Sequence, residues 1–139
     1  MENTNTATEV KDSKYSKEEL IAIFDNIMFE GSYSEVITIK GKLKVEFKSR
    51  SAKDTSEISK ELDAKSFNLI STIQEQRALL SLAYSIITYN GRDLSSMKIE
   101  DRKEFVGSLP TAVVAALSEA LVTFDMKVDE ACREGEENF

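Results

Sequence analysis

The sequence predicts a mainly helical α+β domain, in which one β-hairpin packs on a bundle of about four to five helices. Apolar residues recur at helical spacing in several segments, and only the stretch Ser34–Ser49 changes to an alternation of period two. The composition, with 41% apolar and 31% charged residues, is typical of a folded globular protein. A chain of 139 residues has the size of one domain. We therefore expect a single domain over residues 16–133, between a disordered N-terminal tail (residues 1–15) and a frayed acidic C-terminus (residues 134–139).

The first helix is predicted to begin at a capping box. Residues 1–15 are rich in Asn, Thr and charged residues and show no apolar periodicity, which is typical of a mobile terminus. Ser16, followed three residues later by Glu19, has the pattern in which two side chains satisfy unpaired backbone N–H groups of a first turn. We expect the helix to end at Gly31. Its predicted apolar face consists of Leu20, Ile21, Phe24, Ile27 and Met28.

The segment Ser34–Ser49 reads SEVITIKGKLKVEFKS and is predicted to form the hairpin. A loop of three residues, Lys40–Lys42, would place apolar Ile39 opposite apolar Leu43, whereas a loop of two would place Ile39 opposite Lys44. We therefore predict the three-residue loop. An isolated two-stranded hairpin is marginally stable in water, so its apolar face must pack on helices or extend a sheet in a partner.

Two helices are predicted after the hairpin. Ser51–Leu62 opens with a second capping box and carries only two large apolar residues, so we expect it on the surface. Ser66–Asn90 reads as a long central helix, because its second half is apolar except for a narrow stripe of Ser81, Ser85 and Thr88. Asn90 and Gly91 are a favoured left-handed helix terminus, so we expect the helix to end there.

The last part of the chain predicts a short helix over Ile99–Ser108 and a longer one with Pro110 in its first turn. Proline suits the first turn of a helix, since its missing N–H would have no partner there. We expect the last helix to fray beyond Cys132, where the sequence becomes acidic. Its apolar residues form one face at spacings of three and four: Val113, Leu117, Leu121, Phe124 and Val128.

The residue types argue against catalysis. Histidine is absent, and the single cysteine, Cys132, has acidic neighbours that disfavour a thiolate. No Gly-rich phosphate loop occurs, and we interpret the acidic pairs at helical spacing (Glu57 with Glu61, Glu130 with Glu134) as solvated helix faces. No signal peptide is recognisable, and the longest apolar run is too short to span a bilayer. We therefore expect no enzyme activity, no cofactor, no metal and no membrane partner.

The charge is unevenly distributed, with a net charge of −7 for the chain and a single basic island, Lys40–Arg50. Five cations in eleven residues could contact the phosphates of a nucleic acid, and we keep a nucleic-acid-binding accessory protein as the alternative function. However, no aromatic residue apart from Phe47, which alternates with the apolar residues, lies among these lysines to stack on bases. Lysines on an exposed strand are also a common protection against aggregation. The charged outer face of a hairpin is the favoured interpretation.

The remaining hypothesis is protein binding by strand addition and complementary charge. A second candidate anchor is the cluster of Tyr84, Tyr89, Asn90 and Arg92, for which ordinary packing at a helix end is the competing interpretation. The residues predicted to contact partners lie on the hairpin and the last helix: Ile37, Ile39, Lys42, Lys44, Val45, Phe47, Val113, Leu117, Leu121 and Phe124.

The order of the elements also suggests a family. The chain carries, in sequence, GSYSEVITIKGKLKVEFKSRSAKD, SLAYSIITYNGRDL, DRKEFVGSLPTAVVAALSEAL and a terminal ENF. Over about Phe29–Phe139 it resembles small baseplate or tail assembly proteins of large tailed bacteriophages, which combine a hairpin with helices and share the Asn-Gly and Leu-Pro junctions. The resemblance implies a non-enzymatic role as a tail or baseplate subunit or as a tail assembly chaperone. It also implies other tail or baseplate proteins as partners, a possible homo-oligomer, and a location in the host cytoplasm, the virion or both.

Overall fold

The computed structural model describes residues 15–64 and 70–137. The predicted mainly helical α+β class is confirmed, because these residues form five helices and one four-stranded antiparallel sheet. Residues 1–14 of the predicted N-terminal tail lie outside the described residues. The elements are α1 (Lys17–Glu30), β1 (Ser34–Ile39), β2 (Leu43–Lys48), α2 (Ala52–Ala64), α3 (Ile70–Ser85), β3 (Ile86–Tyr89), β4 (Arg92–Asp93), α4 (Ile99–Gly107) and α5 (Thr111–Glu137).

The predicted hairpin forms half of the sheet, whose strands lie in the order β1-β2-β3-β4. Its register is the predicted one, with Ile39 opposite Leu43 and Ile37 opposite Val45. β2 also pairs with β3, with a bulge between Glu46 and Phe47, and β3 turns back into the short β4. β1 is therefore an edge strand, and β2 is hydrogen-bonded to a strand on each side.

The prediction of one long helix is wrong at the C-terminal end of that helix. α3 stops at Ser85, and the next four residues form β3 instead of a last helical turn, while the predicted start at Ser66 lies outside the described residues. β-branched residues Ile86, Ile87 and Thr88 favour a strand, since their side chains are crowded in a helix. Asn90 and Gly91, with φ of 52° and 87°, form a two-residue turn with two left-handed positions, which is the turn preferred in hairpins.

α5 packs against the inner face of the sheet and forms the main core with it. The inner-facing Val45 and Phe47 of β2 are fully buried, and the ring centroids of Phe47 and Phe124 lie 5.9 Å apart. Leu82 and Ile86 from the α3–β3 segment complete the layer. The apolar face predicted for the last helix is thus confirmed as a core face, with Leu117, Leu121 and Phe124 buried and Val113 and Val128 partly buried beside them.

α1 packs on the C-terminal half of α5 through a narrower face than predicted. Leu20, Ile23 and Phe24 are buried there, whereas Ile21 and Met28, which we expected to be buried, are 45% and 56% exposed. The reason is that α1 packs mainly on one helix, and a single neighbour covers only the stripe of positions i, i+3 and i+4. The prediction overestimated the width of the buried face.

Both predicted capping boxes place helix starts correctly. The Glu19 N–H donates to Ser16 Oγ at 3.0 Å, and Ser51 and Asp54 exchange two side-chain to backbone hydrogen bonds of 3.0 Å. The second helix, α2, buries its two large apolar residues, Ile58 and Leu62, against α3.

The limits of α5 differ from the prediction. The helix begins at Thr111, so Pro110 precedes it, and the Pro110 carbonyl accepts hydrogen bonds from the first turn. It extends to Glu137, so residues 134–137 are helical where we expected a frayed end. Packing explains the extension, because Ala131 is buried against α1 and Gly135 lies against the Phe24 ring.

Candidate protein-binding edge and groove

The open edge of β1 offers unpaired backbone groups. The carbonyls of Tyr33 and Ile39 accept hydrogen bonds from the β2 side of the hairpin, so the odd-numbered residues of β1 direct their backbone groups toward β2. The N–H and C=O groups of Ser34, Val36 and Thr38 consequently point away from the sheet. No hydrogen bond joins them to another residue within the ranges that the structure describes. An added strand would find up to six hydrogen-bonding groups there.

A groove of about 450 Å³ lies between this edge and α5. Its apolar surface comes from Ile37 and Ile39 on the inner face of β1 and from Ala116, Ala120 and Phe124 on α5. The alternation of the strand explains why the isoleucines face α5, and the small alanines keep the helix surface low beside the edge. An extended peptide paired with β1 would therefore direct every second side chain toward an apolar surface.

One end of the groove carries a buried cation. The Lys127 Nζ makes ion pairs of 3.0 Å with both Glu19 of α1 and Glu35 of β1, and it lies 5.1 Å from the centre of the Tyr15 ring. Burial acts to lower the pKa of Lys127, but hydrogen bonds to the two glutamates outweigh it, so the pKa is raised. Lys127 therefore stays charged and ties three elements together at this end.

Tyr33 belongs to the same polar cluster. Its hydroxyl donates a 2.8 Å hydrogen bond to Glu35, and its ring stacks on Phe124 with centroids 6.0 Å apart. Burial, followed by the hydrogen bond to Glu35 and repulsion from that carboxylate, raises the pKa of Tyr33 to about 12. The hydroxyl is thus a persistent donor at neutral pH.

The opposite end of the groove is the basic tip of the hairpin. Lys40, which lines the groove, has a φ of 53° in the turn, and Lys42 is exposed beside it. Lys44 and Lys48 are exposed on the outer face of β2, with Glu46 between them. The edge thus runs from an ion-paired polar cluster to a cluster of solvated cations.

Arg50, the fifth cation of the basic island, is used inside the fold. It donates hydrogen bonds of 2.6 Å to Ser85 Oγ and 2.7 Å to Asp125, joining the end of the hairpin to α3 and α5. Burial raises the pKa of Asp125, although Arg50 acts in the opposite direction. Ser85, predicted as part of a polar stripe, is therefore a buried partner of this bridge.

The structure brings only part of the predicted contact set to this surface. Ile37 and Ile39 border the groove, and Lys42 and Lys44 are exposed, but Val113 is partly buried in the core. The remaining residues of the set were predicted to bind partners because they alternate along β2 or form the apolar face of the last helix. Both patterns are also produced by a core, and the structure shows that these residues belong to the core. The buried ones are Val45, Phe47, Leu117, Leu121 and Phe124, of which only Phe124 also lines the groove.

Packing also explains the second predicted anchor. The rings of Tyr89 and Phe105 meet edge to face at 5.2 Å, and the Arg92 guanidinium lies 5.2 Å from the centre of the Phe105 ring. Asn90 forms the turn between β3 and β4 and contacts Lys44 through backbone and side chain. These residues fix the end of the sheet on α4.

Sequence reasoning missed the polar cluster of Lys127, Glu35 and Tyr33. A signal existed, because Lys127 follows Phe124 by three positions and so interrupts the buried face of the last helix. A cation on such a face requires partners, although the sequence gives no indication that they come from α1 and β1.

Comparison with known proteins gave no match among protein-family models, curated proteins or solved structures. Among the described helices, none combines the length and apolar character needed to cross a bilayer. Residues 15–64 and 70–137 contain no group of three or more Cys, Asp or Glu residues arranged to hold a metal ion.

Proposed function

We propose that this chain is a non-enzymatic assembly protein of a tailed bacteriophage, acting as a tail or baseplate component or as a tail assembly chaperone. It binds other proteins of the tail or baseplate, in the host cytoplasm, in the virion or in both. The phage assignment rests on the resemblance of the segments from Phe29 onward. The mode of action rests on the structure of the edge strand.

The open edge of β1 is the observation that carries the binding mode. Backbone hydrogen bonds along Ser34, Val36 and Thr38 supply affinity for any extended segment, and the side chains that enter the neighbouring groove supply selectivity. Soluble proteins usually protect such an edge with lysine, proline or a bulge. β1 (SEVITI) has no lysine or proline, and its one charged residue, Glu35, is paired with Lys127.

Site-specific photo-crosslinking during phage assembly tests the proposal. A photoreactive residue in place of Thr38 would lie on the edge, and one in place of Lys60 would lie on exposed α2, away from it. We expect adducts with tail or baseplate proteins from position 38 and none from position 60. Equal adducts from both positions, or adducts with nucleic acid at 38, would contradict the proposed function.

A further inference from the structure

We infer that the strand occupying the β1 edge in the isolated protein is β1 of a second copy, paired antiparallel about a two-fold axis. The inference rests on the proposed function, because it uses the same edge as the binding site. It adds the identity of a partner, the register and the groups that select it.

The direction of the backbone groups limits the register. A hydrogen-bonded pair of an antiparallel ladder needs two residues whose backbone N–H and C=O groups both point out of the sheet edge. In β1 these residues are Ser34, Val36 and Thr38. An axis at Val36 joins Val36 to Val36 and Ser34 to Thr38 twice, so all three residues of both copies are paired. An axis at Ile37 pairs only Val36 with Thr38, because Lys40 has left the strand conformation. The register centred on Val36 therefore pairs more of the backbone N–H and C=O groups of the edge.

This register makes the charges self-complementary. Lys40, the first residue beyond β1, comes to the level of Ser32 of the other copy, so the basic tip of Lys40 and Lys42 lies beside the connection that follows Glu30 at the end of α1. Glu30 is exposed, and the last turn of α1 has no basic residue to offset the negative end of the helix dipole. The two-fold axis forms this contact twice. A partner with a basic tip and an acidic helix end is thus another copy of the chain.

Exposed apolar side chains lie along the same segment. Val36 is 59% exposed at the proposed axis, and Phe29 is 82% exposed where α1 leads into β1, next to Met28. Large exposed apolar residues grouped in this way mark interaction surfaces. In the dimer, Val36 is covered by its counterpart, and Ile37 and Ile39 of the second copy enter the groove beside α5.

The solution mass of the full chain, measured by light scattering over a concentration series, tests the inference. Val36→Lys places a cation at the axis, and Val122→Lys is its matched control, since Val122 is 58% exposed on α5. We expect the wild type and Val122→Lys to dimerise and Val36→Lys to weaken the dimer by roughly tenfold or more. A monomeric wild type, or equal effects of the two substitutions, overturns the inference. Circular dichroism verifies that both variants fold.

A charge exchange provides a second test that does not alter the strand. Lys42→Glu and Glu30→Lys should each weaken the dimer, and the double variant should regain affinity, because the pair is restored in reverse. Lack of recovery in the double variant overturns the proposed register.

The outcomes separate this inference from the proposed function. A chain that remains monomeric at all concentrations, while position 38 still crosslinks to a tail protein, overturns the second copy and leaves the function intact. A dimer that is lost in Val36→Lys, without any crosslink to a tail or baseplate protein, supports the second copy and overturns the proposed function.

Discussion

Lys127 illustrates how one side chain can organise the end of a binding groove. Among the described residues it is the only charged one that is buried, and its two ion pairs connect α5 to α1 and to β1. A buried charge is tolerated when it is paired and hydrogen-bonded, and both conditions are met here. The cluster fixes the start of β1 against α5, which keeps the groove open beside the edge.

Tyr33 gives a pH-dependent readout of this cluster. Its pKa of about 12 in the folded state exceeds the ordinary value of 10.0, so neutral Tyr33 contributes stability that is complete below pH 10 and is lost as the pH rises toward 12. Spectrophotometric titration of the tyrosines should show a late component that disappears in Tyr33→Phe. Burial also raises the pKa of Tyr84, so this variant is needed for the assignment. Titration unchanged by the substitution would contradict the hydrogen bond to Glu35.

Gly135 predicts an unusual response to alanine. A Cβ at this helical position would lie 2.4 Å from the buried Phe24 ring, so the ring or the helix must shift. We expect Gly135→Ala to lower the free energy of unfolding by about 1–3 kcal/mol, as overpacking does. Denaturant unfolding monitored by circular dichroism measures the change.

Gly107 is the matched control for Gly135. It also lies in a helix, but an added Cβ would meet no atom within 4 Å. Gly107→Ala should raise the free energy of unfolding by about 0.5–1 kcal/mol, because alanine loses less backbone entropy in a helix. The same sign of change for both variants would show that α1 does not approach α5 as closely as described.

At the scale of elements, the sequence predicted structure correctly where a local pattern is compatible with only one structure. The Ser51 and Asp54 capping box and the alternation of β1 and β2 fixed a helix start and a register, since both depend on neighbours in the sequence. The sequence could not indicate that β1 is an edge, because alternation is the same for edge and central strands. The groove depends on the approach of α5, roughly 80 residues away, which no local pattern encodes.

The end of α3 shows the opposite case, in which one sequence pattern is compatible with two structures. Asn followed by Gly can end a helix or turn a hairpin, since both need a residue with positive φ. The apolar run before Asn90 suited a buried helix and a buried strand equally. The β-branched residues Ile86, Ile87 and Thr88 were the available signal for a strand.

The turn between β3 and β4 can be tested by two substitutions of one residue. Asn90 has a φ of 52°, a conformation that costs alanine about 1 kcal/mol and glycine nothing. Asn90→Ala should therefore destabilise the protein by about 1–2 kcal/mol, including the lost contact of its side chain with the Lys44 N–H. Asn90→Gly should recover most of the loss in thermal unfolding. If the glycine variant is as unstable as the alanine variant, the turn is not the cause.

For the whole molecule, the distribution of charge separates protein binding from nucleic-acid binding. Arg50 of the basic island is engaged with Asp125, and Glu46 lies between the exposed Lys44 and Lys48. We expect replacement of Lys42, Lys44 and Lys48 by glutamate to leave elution from DNA and RNA columns unchanged, since the chain carries a net charge of −7.

The control for this charge reversal changes three exposed lysines outside the hairpin, Lys53, Lys60 and Lys98, by the same total charge. Retention of the wild type that is lost only in the hairpin variant would favour the alternative function, a nucleic-acid-binding accessory protein. Equal behaviour of the two variants removes it.

The packing of α1 on α5 also bears on how the chain folds as it is synthesised. The ribosome makes Leu20 and Ile23 long before Ala131, so the first helix emerges without the surface it needs. The β1–β2 hairpin likewise leaves the ribosome with Val45 and Phe47 uncovered and with an open edge, since α5 is translated after it. Native structure must therefore form late and nearly at once. The lysines on the outer face of β2 would serve the nascent chain during this interval, by keeping the unfinished hairpins of neighbouring ribosomes apart.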